Sequence, residues 1–245
     1  MADDTAQENG EEKKSFGYHT GDVDTVISVE DVNRQAQEFA EVIDVETIAK
    51  LANNDPFVTI EHLRAGYGKM EILHDFNLQV GKGQSLCLIG PNGAGKSTIL
   101  HSIYGFTNIF AGTISSGQGD SKRDVTALSS NEKLSDAGIA YILQDKSIFP
   151  DMTVEENLWM GGFLMETPDK AKEAAEKVFS KYSRLADRRK HVAKVLSGGE
   201  RRLLEISRAL VMSPDVLLVD EPSIGLEPRF IDMVFEILDD LQNHE

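Results

Sequence analysis

Ser85-Leu86-Cys87-Leu88-Ile89-Gly90-Pro91-Asn92-Gly93-Ala94-Gly95-Lys96-Ser97-Thr98 is the stretch from which the fold can be read. Its first five residues are a mostly apolar run bounded by glycines, the pattern of a strand buried on both faces of a parallel sheet. On that reading Cys87 is a small buried filler. The next nine residues fit G-x-x-x-x-G-K-[ST], and a helix-like segment follows from Gly95 to Tyr104. Gly93 and Gly95 let the backbone curl so that successive N–H groups point inward as an anion nest. The helix N-terminus adds its positive dipole end. Lys96 supplies a point charge for the outer phosphates of a triphosphate, and the Ser97 hydroxyl suits Mg²⁺. A dinucleotide-type G-x-G-x-x-G is excluded, because Gly93-x-Gly95-x-x ends in Thr98.

A second stretch answers the first. Val216-Leu217-Leu218-Val219-Asp220-Glu221 reads as a buried strand ending in two carboxylates. At the carboxyl end of a parallel strand both acids lie in the ligand crevice beside the phosphate loop. Asp220 is then placed to hold Mg²⁺ through water, and Glu221 to orient or deprotonate a water in line with the γ-phosphate. Between the two stretches, Ile139–Leu143 reads as a further strand with Gln144 at its end. Residues 147–195 look helical, with Thr153 and Glu156 as a capping box. Arg201–Met212 reads as a helix, and Phe230–Leu241 as a final one. Upstream, residues 57–63 and 76–80 alternate like strands, and 111–136 is Gly/Ser/Asp-rich loop with small strands.

Composition bounds the rest. The chain has 245 residues, 40% hydrophobic and 27% charged, an ordinary globular balance. Its formal net charge of −16 argues against a nucleic-acid-coating surface or a polybasic membrane anchor. One cysteine excludes an internal disulfide, and the histidines show no metal-ligand spacing. No apolar run approaches the roughly 18 residues of a membrane span. Residues 1–55 hold 14 acids against 4 bases and read as an acidic extension, a polar tail followed by short helices near 28–43 and 45–52. The remainder, 56–245, reads as one catalytic domain.

Leu196-Ser197-Gly198-Gly199-Glu200 resembles the signature motif of ATP-binding-cassette (ABC) ATPases, and the order of motifs matches that family over about residues 57–245. The strings LRAGYGKMEILHDFNL, YILQDKSIFPDMTVEENL and PSIGLEP are similar to the branched-chain amino-acid importer branch. The resemblance implies an α/β P-loop NTPase with a predominantly parallel core sheet, a small antiparallel part and an inserted helical subdomain at about 147–195. It implies that ATP is bound by Gly90, Pro91, Asn92, Gly93, Ala94, Gly95, Lys96, Ser97 and Thr98, with Tyr67 stacking on adenine. Gln144 is implied as the residue contacting Mg²⁺ and the attacking water. Leu196–Glu200 is implied to face the ATP of a second ABC subunit.

The activity so implied is ATP hydrolysis that energises a membrane importer, with permease subunits as partners and, through them, a substrate-binding protein. The corresponding location is cytoplasmic, peripheral on the inner membrane face. The family's switch residue follows one further strand, whereas this sequence stops at Glu245, so the C-terminal end reads as truncated. That leaves an alternative: a nucleotide-dependent dimerising or regulatory module with little hydrolysis.

Overall fold

The computed structural model describes residues 56–143, 147–222 and 228–243. The helices expected between 28 and 52, Gln144, and the Ile224–Glu227 loop lie outside the described residues. Two sheets organise the fold. The first is antiparallel, in the order β2-β1-β3-β4, built from β1 (Val58–Tyr67), β2 (Met70–Val80), β3 (Asn108–Ser116) and β4 (Arg123–Asp124). The second is a parallel pair, β5 (Ile139–Ile142) beside β6 (Val216–Val219), in register from Ile139↔Val216 to Ile142↔Val219.

β1 and β2 form a longer hairpin than the alternation at 57–63 and 76–80 suggests. Tyr67 pairs with Met70 across the two-residue turn Gly68-Lys69, where Gly68 has φ 59°. Register shifts interrupt both ladders of β1, and His62 and Asp75 sit at φ 51° and 53°. Each bulge moves the next side chain to the other face, so the period of two is lost from the sequence.

Helix α1 (Lys96–Tyr104) joins the two sheets. Its Ile99 and Ile103 are buried with Ile60, Leu63 and Leu73 of the hairpin and with Ile139 and Leu218 of the parallel pair. Each such side chain contributes about 1.5–3 kcal/mol on leaving water, so α1 is held against both the hairpin and the parallel pair.

The helical part comprises α3 (Val154–Gly161), α4 (Pro168–Lys181), α5 (Ser183–Asp187) and α6 (Gly198–Leu210), after the short α2 (Ser130–Ser135). Its core gathers Val154, Leu158, Ala175, Phe179, Leu185, Leu196 and Leu204, joined by Val234 and Ile237 of α7 (Pro228–Asn243). The expected capping box at α3 is present: Thr153 Oγ1 accepts from Glu156 N, and Glu156 accepts from Thr153 N at 2.7 Å.

One expectation is corrected. Ser85–Ile89 is in no strand, Cys87 is exposed, and Ile89 is 85% exposed. The segment leaves β2 through a turn in which Gln84 N donates to Gly81 O and Gly81 N to Gln84 Oε1. A mostly apolar run without alternation has nothing to fix a register or choose a sheet edge. Among the described residues the parallel ladder is therefore β5 with β6 alone, and the antiparallel sheet is the larger of the two.

Candidate functional site

The phosphate-loop pattern folds as a turn opening directly into α1. Ala94 N donates to Pro91 O, and Ile99 N donates to Gly95 O to begin the helix. Gly93 and Gly95 have φ 84° and 90°, the left-handed region that favours glycine. Gly95 has a second reason to lack a side chain: a Cβ there would lie 3.2 Å from Leu73 Cδ2 of β2. No side chain caps α1, so its first-turn amides keep the orientation an anion requires. The Lys96 ammonium folds back onto the loop, donating to Gly90 O at 2.8 Å and Pro91 O at 2.9 Å. Gly90–Ala94 are exposed, so this face is open to a ligand.

The decisive contact joins two motifs 123 positions apart. Ser97 Oγ donates to Asp220 Oδ1 at 3.1 Å. The strand ladder carries one residue beyond β6, with Asp220 N donating to Ile142 O at 3.2 Å, so the carboxylate is delivered to the first turn of α1. Asp220 is buried, 9% exposed. Tyr141 Oη donates to its other oxygen at 3.0 Å. Burial, then the adjacent Asp220 charge, raises the Tyr141 phenol well above its usual range and keeps it a donor. Glu221 follows at φ 45°, a left-handed conformation for a non-glycine residue, and is half-buried. Such strain persists where the surroundings enforce it and is concentrated at functional sites.

Ser97 and Asp220 present hard oxygen donors, which fit Mg²⁺ and not a thiolate- or imidazole-preferring metal. Among the described residues no cluster of three His, Cys, Asp or Glu could hold a metal unaided. Mg²⁺ commonly takes one carboxylate and completes its shell with phosphates and water.

Tyr67 ends β1 on the side of α1 and is 41% exposed. Its hydroxyl is hydrogen-bonded to His101 Nδ1, with the rings edge-on at 6.0 Å. His101 lies one turn beyond Ser97, so Tyr67 flanks the same helix face as the phosphate loop. Burial lowers the His101 pKa, and the Asp220 charge opposes that shift.

Leu196–Glu200 opens α6. Leu196 is buried in the helical core. Ser197 Oγ accepts from Glu200 N at 3.3 Å, and Glu200 Oε2 accepts from Ser197 N at 2.9 Å, a reciprocal box. The Ser197 amide, with a lesser part from Arg188, holds the Glu200 carboxyl below its usual range. Gly198 has open space where a Cβ would stand, so its backbone can be approached closely.

Four residues of this region are given no role by the sequence motifs. They are Tyr141, His101, Arg202 and Asn157. Arg202 of α6 is buried, donates to Leu143 O at 3.1 Å and pairs with Glu205 at 2.8 Å. It ties the signature helix to the residue before Gln144. Asn157 is fully buried and pins the loop before α3 through Phe149 N, Phe149 O and Thr153 O. A spacing search for charged and glycine-rich motifs passes over all four.

A glycine turn that opens a helix, with a buried aspartate hydrogen-bonded to the serine of its first turn, suits a phosphate and its cation. The model of the ABC transporter family matches residues 73–224, which span the phosphate loop, the signature and the acidic strand end. The chain belongs to the ABC transporter family. It is accordingly a nucleotide-binding, transport-coupled ATPase domain. It is 40% identical over 176 residues to the high-affinity branched-chain amino acid transport ATP-binding protein BraG of Pseudomonas aeruginosa, covering 72% of this chain and 73% of that one. It is 34% identical over 174 residues to the probable branched-chain amino acid transport ATP-binding protein LivF of Archaeoglobus fulgidus, covering 71% of each. Among solved structures it is similar to a nucleotide-free ATP-binding cassette from an ABC transporter, with TM-score 0.66, 29% identity and 77% of each chain covered. Among the described residues no helix is long and apolar enough to cross a membrane.

Proposed function

We propose that this ABC domain is the ATP-hydrolysing subunit of a membrane importer for branched-chain or related amino acids. The observation that carries the catalytic part is the Ser97–Asp220 contact at 3.1 Å, which unites the phosphate loop with the acidic strand end. The substrate branch is supported by the similarity to BraG and LivF.

In this reading the loop amides of residues 93–97 and the α1 N-terminus grip the β- and γ-phosphates, and Lys96 exchanges its two loop carbonyls for phosphate oxygens. Tyr67 offers its ring to adenine, and stacking needs only a π-face. Ser97 and Asp220 would hold Mg²⁺. That ion would neutralise charge developing on the phosphates. Glu221 orients a water in line with the γ-phosphate and accepts its proton, and Gln144 would contact that water and the metal. Ser197–Gly199, at a second helix N-terminus, face the γ-phosphate of ATP on a second ABC subunit. Two chains then clamp two nucleotides head-to-tail, and hydrolysis releases the clamp. The helical part around 147–195 receives the permease, at the cytoplasmic face of the membrane.

Glu221→Gln tests this assignment. It keeps the shape of the side chain but removes the charge and the base. Expected are retained MgATP binding, phosphate release slowed at least roughly 100-fold, and an ATP-dependent dimer in gel filtration. Undiminished phosphate release would remove Glu221 from the reaction. A parent chain that dimerises on ATP but releases no phosphate favours the binding-module alternative.

A further inference from the structure

The Asp220 carboxylate has two oxygens, and the structure gives each a hydroxyl donor from a different element. Ser97 Oγ of α1 takes Oδ1 at 3.1 Å, and Tyr141 Oη of β5 takes Oδ2 at 3.0 Å. We propose that Tyr141 is a positioning residue for the metal-holding carboxylate, setting the plane in which Asp220 meets Mg²⁺. The inference rests on the reading of Asp220 given above and adds a residue to it.

The carboxylate torsion of aspartate is broad and roughly two-fold, so a single donor leaves its plane free to swing. Two donors on opposite oxygens fix it. The second donor is itself held firmly. The Tyr141 ring packs tilted against Tyr104 at 5.4 Å and edge-on to His101 and Phe106 at 5.6 and 5.9 Å. His101 and Tyr104 are three apart on α1, and Ser97 is four before His101, so one helix face carries both the serine and the clamp. Backbone register adds a third constraint, because Tyr141 lies opposite Leu218 in the parallel ladder, two residues before Asp220.

A neutral phenol suits this role chemically. It orients the carboxylate without neutralising it, so the full negative charge stays available to the cation. A lysine or arginine at the same place would compete with Mg²⁺. A partner that orients a metal-holding group typically changes metal affinity roughly 10- to 100-fold when removed.

The test is Tyr141→Phe, which keeps the ring and removes only the hydroxyl. ATP affinity is measured by calorimetry with Mg²⁺ and again in EDTA, and the Mn²⁺ resonance spectrum of the MnATP complex is recorded. Expected are an unchanged affinity in EDTA, a fall of about tenfold or more in the gain that Mg²⁺ confers, and an altered Mn²⁺ spectrum. An unchanged Mg²⁺ gain, or equal losses in both media, overturns the proposal. So does a lowered unfolding midpoint with an unchanged gain, which marks the hydroxyl as structural. If the parent chain itself gains no affinity from Mg²⁺, the reading of Asp220 fails first, and this inference falls with it.

Discussion

Lys133 provides a quantitative test of how the far end of the phosphate-loop helix is anchored. The side chain is fully buried, and its ammonium donates to Ser102 O, in the last turn of α1, at 3.3 Å. Burial lowers its pKa from 10.5 to about 8, and Asp124 opposes the shift through its charge. The folded chain therefore releases this proton first as pH rises. Below pH 8 both states are protonated, and the cost of burying the charge is present in full. Between about 8 and 10.5 the unfolded chain binds more protons, so stability must rise with pH in that window. The gap is worth about 3 kcal/mol at most, of which roughly 2 kcal/mol falls between pH 7.5 and 10. Lys133→Met keeps the length and removes the titration. Urea unfolding of both chains from pH 7 to 10 isolates the effect, because other groups cancel in the difference. The parent should gain about 2 kcal/mol on the variant between pH 7.5 and 10. Parallel stability curves would refute a buried, readily neutralised Lys133.

Three shorter predictions concern other parts of the site. Asn157→Ala removes a fully buried side chain that bonds Phe149 and Thr153, and should lower stability in urea by about 2–4 kcal/mol. A loss below 1 kcal/mol would show that the loop is held otherwise. Ser197→Ala breaks the box at the start of α6 and should cost about 1 kcal/mol of stability. If Ser197 also serves nucleotide on a second subunit, ATP-dependent dimerisation should weaken as well, measured by sedimentation. Lys96→Ala should reduce ATP affinity at least roughly 100-fold in calorimetry, and unchanged affinity would count against the phosphate-loop reading.

What the sequence disclosed depended on the kind of constraint. The loop at Gly90–Thr98 was legible because it needs particular residue types at fixed spacing, two of them glycines at positive φ. The Thr153–Glu156 box was legible for the same reason. β6 was legible as an apolar run closed by two acids, and β5 as one closed by Gln144. Ser85–Ile89 has the same apolar texture but lies outside both ladders, since texture carries no information about which edge is available. The hairpin β1–β2 was read short because its bulges reset the alternation. Tyr141, Arg202 and Asn157 were invisible because each is defined by a partner far away in the chain or by a backbone atom. The motifs imply that the acidic strand end lies beside the phosphate loop; the direct Ser97–Asp220 hydrogen bond is visible only in the structure.

The account turns on that pairing, and a double-mutant cycle measures it directly. MgATP affinity is determined for the parent chain, Ser97→Ala, Asp220→Asn and the combination. If the two groups hold one ion at 3.1 Å from each other, the second substitution should add little to the first, with a coupling energy of about 1 kcal/mol or more. Losses that simply add would mean that the serine and the aspartate act apart, contradicting the site described above.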